Sequence, residues 1–430
     1  MKQHLRRTRR KLLSPRAWKV RLVFWLGAVI VGVICALFAE LAEWANHVFL
    51  LLAKQHPHAP LVITPLAMMG ITWLTIKYFP GSQGSGIPQA IASLQSEAKS
   101  SILSLKIAVG KVLLTTLGLL SGGSIGREGP SVHIGAAVMY SFGRYARFPA
   151  HYMENGLILA GGAAGIAAAF NTPLAGIMFA IEELSRRFEN RTSGIVIIAV
   201  VIAGVTAMAI LGPYHYFGTA STGHVPTAEI WAAVFLCGIA GGMLGGLFAS
   251  ALIHGSRALA PMMRHKPLRI AFIAGLALAI VAWLSNYSAS GTGYIEAKAI
   301  LQQTAEHDPW YPLAKMGATL ASYLTGIPGG IFAPSLAVGA GVGADLGQWL
   351  PVAPLSAMIL LGMIAYFSGV VQSPLTAFVV VIEMTAERDL ILPLLATSFI
   401  AYGASHLVSP QPLYHTLAQA FLKSNSPSKT

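Results

Sequence analysis

The loops and side chains best suited to chemistry in this chain are few. Residues 84–88 read GSGIP, residues 126–130 read GREGP and residues 330–334 read GIFAP. In each phrase glycine stops one helix, and proline suits the first turn of the next because the N–H it lacks would be unpaired there anyway. Each phrase therefore predicts a helix N-terminus with unpaired backbone N–H groups and about half a positive charge from the helix dipole. Such ends bind anions. Ser85 adds a hydroxyl donor without a full charge. Glu128 lies inside one of these helix starts. Its carboxylate can take an anion's place when ionised and vacate it when protonated, so one residue can couple an anion to a proton. A plainer role is equally open to it, pairing with Arg127 or capping the helix.

Glu182 and Glu183 close an apolar stretch just ahead of Arg186 and Arg187. An acid here can collect protons for a route toward Glu128, or form an interfacial salt bridge with those arginines. Glu383 is less informative and reads as structural. Lys106 and Lys111 stand in an apolar helix expected over 102–120 and are expected to turn away from lipid. Lys111 reads as a buried electrostatic support or as a direct ion contact. Tyr414, after Pro412, offers a phenolic donor, although a single tyrosine there is commonly an anchor at the membrane interface. His133 reads as a packing residue. Cys35 and Cys237 sit in apolar stretches, so neither a disulfide nor a Cys-based metal site is indicated. No His-x-x-x-His pattern points to a metal, and no cofactor is expected.

The elements that must position these residues are membrane helices. Of 430 residues, 55% are hydrophobic and 10% are charged, against about 25% charged in an ordinary globular domain. Uncharged runs cover 22–39, 155–181, 192–228, 270–295, 316–344, 346–382 and 390–422, and about 20 apolar residues cross a bilayer as a helix. A soluble enzyme and a disordered chain are excluded. A transmembrane barrel is disfavoured, because its strands alternate over about ten residues. The net charge of +13 is concentrated, with nine of the 29 basic residues in the first 21 positions and no acid among them. This reads as a cytoplasmic tail near anionic headgroups, not as a nucleic-acid surface. No small-residue cleavage site follows Ala39, so the first span reads as a retained helix and not a signal peptide. Arg186, Arg187 and Arg191, and likewise Arg257, Arg264, Lys266 and Arg269, belong on the same side as the N-terminus, which puts the uncharged loop between them outside.

Two phrases recur. Pro130, Ser131, Ile134, Gly135 and Ala136 return as Pro334, Ser335, Val338, Gly339 and Ala340, an offset of 204 residues. Pro173, Leu174, Ile181 and Glu182 return as Pro374, Leu375, Ile382 and Glu383, an offset of 201 residues. Order and spacing together mark a duplication. The first half begins inside and ends outside, so the second runs the other way up. Secondary transporters commonly have such inverted repeats, with sites near the midplane built from broken helices. Irregular backbone at that depth must be buried in protein or line a wet cavity. The expected organisation is a basic tail (1–21), a first membrane repeat (22–212), an external linker (213–227), a second repeat (228–422) and a short cytoplasmic tail (423–430). Residues 122–126 match the Gly-x-Ser-x-Gly elbow of hydrolases at Ser124, but a membrane helix stands where that motif needs a strand. Gly241 and Gly245 form a small-xxx-small pair that marks close helix packing.

In order and in wording, GSGIP, GREGP, GIFAP and the late Tyr414 resemble the CLC family of chloride channels and chloride/proton antiporters. The stretch 161–184, GGAAGIAAAFNTPLAGIMFAIEEL, is similar as well, and the likeness extends over about 22–422. The resemblance implies an all-α membrane protein of tilted, partly discontinuous helices in two inverted repeats, assembled as a homodimer with an ion pathway in each subunit. It implies that the Ser85 and Tyr414 hydroxyls coordinate chloride and that the backbone N–H groups of Ile331 and Phe332 donate from the opposite helix. Glu128 becomes the external gating glutamate and Glu183 the internal proton glutamate. Nitrate-preferring members tend to carry proline where this chain has Ser85, and the acid at Glu183 favours coupled exchange over a channel. With the sequence ending shortly after Tyr414, the CBS pair of many eukaryotic members is not expected. The expected setting is a prokaryotic inner membrane, multi-pass, with the N-terminus cytoplasmic. The rivals are a passive anion channel on the same fold and a membrane-embedded enzyme using Ser124 or the carboxylates.

Overall fold

The computed structural model describes residues 14–145, 152–185, 193–212, 216–218, 227–304, 307–385, 387 and 389–424. The expectations placed on the tail before residue 14, on Arg186, Arg187 and Arg191, on most of the 213–227 linker and on residues 425–430 fall outside them.

Lipid cannot satisfy backbone N–H and C=O groups, so apolar runs of this length must pair them internally as helices. Among the described residues, eight helices are long and apolar enough to cross a membrane. The first half comprises α1 (Pro15–Gln55), α2 (Pro60–Tyr78), α3 (Ile87–Gln95), α4 (Lys99–Ile102), α5 (Leu105–Leu120), α6 (Glu128–Tyr145), α7 (Tyr152–Phe170), α8 (Pro173–Phe179) with a π-helical turn at Ala180–Ser185, and α9 (Ser193–Leu211). The second comprises α10 (Thr227–His265), α11 (Pro267–Leu284), α12 (Tyr294–Leu301), α13 (Tyr311–Leu324), α14 (Phe332–Trp349), α15 (Leu355–Val371), α16 (Pro374–Thr385) and α17 (Ile391–Val408), followed by α18 (Leu413–Ser424). Apart from α4 and α18, the halves match in order. A very long helix, a long one, a short one, then five more recur as α1–α3 with α5–α9, and as α10–α17. The all-α architecture in two inverted repeats is thus realised.

Local chemistry sets the boundaries. Proline opens α2, α8, α11 and α16, where its missing N–H is harmless. The Ser104 hydroxyl accepts from the Ile107 N–H at 3.2 Å and caps α5. Gly86 precedes α3 with φ near 107°, and a Cβ there would lie 2.6 Å from Gly129 O and 2.9 Å from the Cβ of His133. Only glycine lets α3 and α6 begin in contact.

The centre of the molecule is formed by α6, α7, α14 and α15. Every residue of α15 after Leu355 is buried, as expected of a helix that is apolar on all sides. Peripheral α9, α11 and α17 leave most of their apolar windows unburied by protein, the pattern of helices that face lipid. The small-xxx-small pair does pack closely, since a Cβ at Gly241 would lie 2.6 Å from the Ala365 Cβ on α15 and one at Gly245 would lie 2.5 Å from Tyr366 O. Lys106 corrects the sequence reading, because it is exposed. The helix expected over 102–120 breaks at Leu103 and Ser104, so Lys106 falls in the first turn of α5, where a long side chain can reach the interface.

Candidate functional site

The three glycine-rich phrases meet. Gly126 N–H donates to Gly330 O and Gly330 N–H donates to Gly126 O, both at 2.7 Å. Gly84 N–H donates to Ile327 O at 3.2 Å, and Gly329 N–H donates to Gly84 O at 3.3 Å. Helices α3, α6 and α14 therefore all start from one backbone knot. A Cβ at Gly330 would lie 2.9 Å from Gly129 N, so the approach of the second repeat to the first depends on its absence.

Buried lysines hold the loops that lead into α3 and α12. Lys111 on α5 donates to Ser82 O at 2.9 Å and Gly84 O at 3.0 Å. Lys315, 204 residues later on α13, donates to Ala289 O, Ser290 O and Gly291 O at 3.1, 2.9 and 2.9 Å. Both side chains are fully buried. An ammonium carries three donors and no acceptor, so each lysine gathers carbonyls that a turning backbone leaves unpaired. This fits the support role for Lys111. His133 bonds Ile102 O at 2.9 Å and packs between α6 and α4, as expected. The Ser124 hydroxyl pairs with that of Thr319 at 2.9 Å and the Ser124 N–H donates to Ser322, which ties it to α13.

Ser85, Ile331, Phe332 and Tyr414 are all buried beside this knot. The Phe332 ring lies 5.8 Å from the Tyr414 ring and also contacts Phe170, Phe179 and Phe367. The Tyr414 phenol interacts with Ser85 and lies within electrostatic reach of Glu183 and Glu128. Neither the Ser85 nor the Tyr414 hydroxyl has an aligned hydrogen-bond partner. Buried hydroxyls are normally paired, and two such donors beside a helix N-terminus suit a desolvated anion. Tyr414 is not the interfacial anchor that a lone tyrosine would be.

Glu128 is completely buried. Its Oε1 accepts from the Tyr294 hydroxyl at 2.8 Å, and the carboxylate lies within reach of its own amide and of the Ala333 amide in the first turn of α14. Its Oε2 has no aligned partner. Arg127 turns its guanidinium toward Ala39 O at 2.6 Å, Glu43 at 3.0 Å and the Tyr216 hydroxyl. Glu128 is thus bonded by Tyr294 with helix-end amides within reach, while Arg127 bonds Ala39, Glu43 and Tyr216.

Glu183 lies on the π-helical turn with its side chain 2% exposed. Its carboxylate accepts from the Ser373 hydroxyl, and His415 Nε2 bonds its backbone O at 3.1 Å. Glu182 plays a different part. It accepts from Leu375 N–H at 3.1 Å, Thr376 N–H at 2.6 Å and the Thr376 hydroxyl at 2.8 Å, in the first turn of α16. Sequence reasoning missed Tyr294, Lys315, Ser373 and His415. A longer repeat alignment finds the loop of Tyr294, since Gly291, Gly293 and Tyr294 echo Gly84, Gly86 and Ile87 at an offset of 207 residues, and finds Lys315 at the offset of 204 from Lys111.

The family model described as voltage gated chloride channel matches residues 66–406. The H(+)/Cl(-) exchange transporter ClcA of Cronobacter sakazakii is 31% identical over 82% of this chain and 77% of its own length. The chain belongs to the voltage gated chloride channel family. Among other family members, ClcA of Yersinia pseudotuberculosis is 29% identical over 93% of this chain and 88% of its own. The crystal structure of a slow cyanobacterial Cl-/H+ antiporter superposes with a TM-score of 0.81 at 25% identity, covering 95% of this chain and 99% of that one. A CLC-type fluoride/proton antiporter shares the fold at a TM-score of 0.80 and 23% identity, over 93% of this chain and 98% of that one.

Proposed function

We propose that this chain exchanges chloride for protons across a membrane, with Glu128 as the shared gate. The observation that carries the reading is the position of the Glu128 carboxylate, buried at the first turn of α14 and within electrostatic reach of Tyr414, whose phenol interacts with Ser85. That seat suits an anion. In its ionised form the carboxylate fills the seat; protonation removes its attraction to the amide ends, and chloride can replace it. Chloride would be held by the Ser85 and Tyr414 hydroxyls and by the Ile331 and Phe332 amides. These donors carry no full charge, which lets the ion leave as well as bind. Glu183 receives protons from the other side. The names of the relatives, H(+)/Cl(-) exchange transporters, support the coupling.

The same reading assigns residues 22–212 and 228–422 to two membrane repeats, joined by an external linker and flanked by cytoplasmic tails. The protein works as a homodimer in a prokaryotic inner membrane, N-terminus inside, moving its substrates without a cofactor and without enzymatic turnover.

The test is purified protein in liposomes with opposed chloride and proton gradients. Exchange drives protons uphill when chloride moves down its gradient. A reversal potential that follows chloride alone identifies a passive channel and refutes the proposal.

A further inference from the structure

We propose that His415 is a proton relay between the aqueous phase at the α18 face and the buried Glu183 carboxylate. The inference rests on the proton role given to Glu183 and adds the group that supplies it. Glu183 is almost completely shielded, with a side chain 2% exposed, whereas that of His415 is 20% exposed. The His415 Nε2 lies 3.9 Å from Glu183 Oε1 and is already anchored on the Glu183 backbone O at 3.1 Å. A small rotation of the ring brings Nε2 to hydrogen-bond distance of the carboxylate, the kind of tightening that relay contacts undergo in use.

The neighbouring acid is poorly placed for the task. Both oxygens of Glu182 are engaged by the first turn of α16. The device is also one-sided, since the repeat counterpart of Glu183, 201 residues on, is Met384. Tyr414 and His415 are consecutive in the first turn of α18. One faces Ser85 at the anion seat and the other faces Glu183, so a single helix start touches both routes.

Imidazole is the side chain whose unperturbed charge change falls between about pH 5 and 8. In the forward step the imidazolium N–H bond at Nε2 breaks and an O–H bond forms at Glu183 Oε1. The neutral ring keeps its Nδ1 proton and regains one at Nε2 from the aqueous phase. Among the described residues, α3 brings no ionisable group to α18, α15 carries Tyr366, and Arg257 of α10 reaches Gln411, just before α18, at 3.2 Å.

The experiment compares the unmodified full chain with His415→Gln and His415→Ala in liposomes, following protons and chloride separately between pH 4 and 8. Gln keeps a donor for the Glu183 backbone O but carries no exchangeable charge. The proposal predicts that chloride-driven proton movement falls about tenfold or more in His415→Gln, with its pH profile flattened near neutrality. It also predicts that added imidazole restores proton movement in His415→Ala. A His415→Gln protein with unaltered proton flux and pH profile, or a His415→Ala protein indifferent to imidazole, overturns it. If the unmodified protein moves no protons against a chloride gradient, the exchange reading and this inference fall together; intact exchange with an unaffected His415→Gln removes only the relay.

Discussion

Glu182 and Glu383, 201 residues apart, each cap the half-helix of the other repeat. Glu182 accepts from the Leu375 and Thr376 amides at the start of α16, and Glu383 accepts from the Leu174 and Ala175 amides at the start of α8. A two-fold relation produces such reciprocity, as it does for the paired Gly126 and Gly330. A carboxylate at a helix N-terminus satisfies orphan N–H groups and meets the positive end of the dipole. Removing either cap should lower stability by about 1–2 kcal/mol. Thermal unfolding of Glu182→Ala and Glu383→Ala in detergent checks this. Both should melt earlier while Glu383→Ala keeps its proton-to-chloride ratio; unchanged melting contradicts the capping role.

Tyr294 donates to Glu128 at 2.8 Å, and a hydrogen bond to a charged group contributes about 1.5–3 kcal/mol. The Tyr294→Phe protein should therefore release Glu128 from the anion seat more readily. Chloride flux in liposomes should rise and fewer protons should move per chloride. Equal flux and equal coupling in Tyr294→Phe and unmodified protein would exclude a gate-holding role.

Lys111 and Lys315 make the same kind of carbonyl clasp in the two halves. Replacing either by Met leaves buried carbonyls unpaired, at about 1–3 kcal/mol each. Lower yields of folded protein and earlier melting should follow in both variants. Since only the Lys111 clasp holds the loop bearing Ser85, Lys111→Met should also weaken chloride binding in a calorimetric titration. A Lys111→Met protein that is stable and binds chloride normally contradicts this.

The hydroxyls of Ser85 and Tyr414 are buried without aligned partners. A hydrogen bond to a charged ion contributes about 1.5–3 kcal/mol, so Ser85→Ala and Tyr414→Phe should each weaken chloride affinity roughly tenfold or more. Titration of chloride into the two variants measures it. Affinity unchanged in both would place the ion elsewhere.

Much of this was legible before any coordinates. Long uncharged runs can only be membrane helices, and Gly and Pro at fixed offsets mark where helices break, so the three loops and the duplication could be read directly. That the loops hydrogen-bond to one another could not, because it depends on how two distant halves dock. Lys106 was misread because the helix break at Ser104 carries no proline or glycine, and a serine cap looks like any polar residue. Glu383 was obscure for a related reason. Its partners are backbone amides 209 and 208 residues away, and backbone donors leave no trace in a sequence. Tyr294 was hidden because its loop repeats GSGIP only loosely, with Thr292 in the place of Ser85.

In the proposed exchange Glu128 serves anion and proton with one carboxylate. Its most direct test is Glu128→Ala in liposomes, with both ions monitored in the same preparation. The prediction is chloride movement that persists while proton movement disappears at every chloride gradient applied. Protons still driven uphill by chloride in that variant would contradict it.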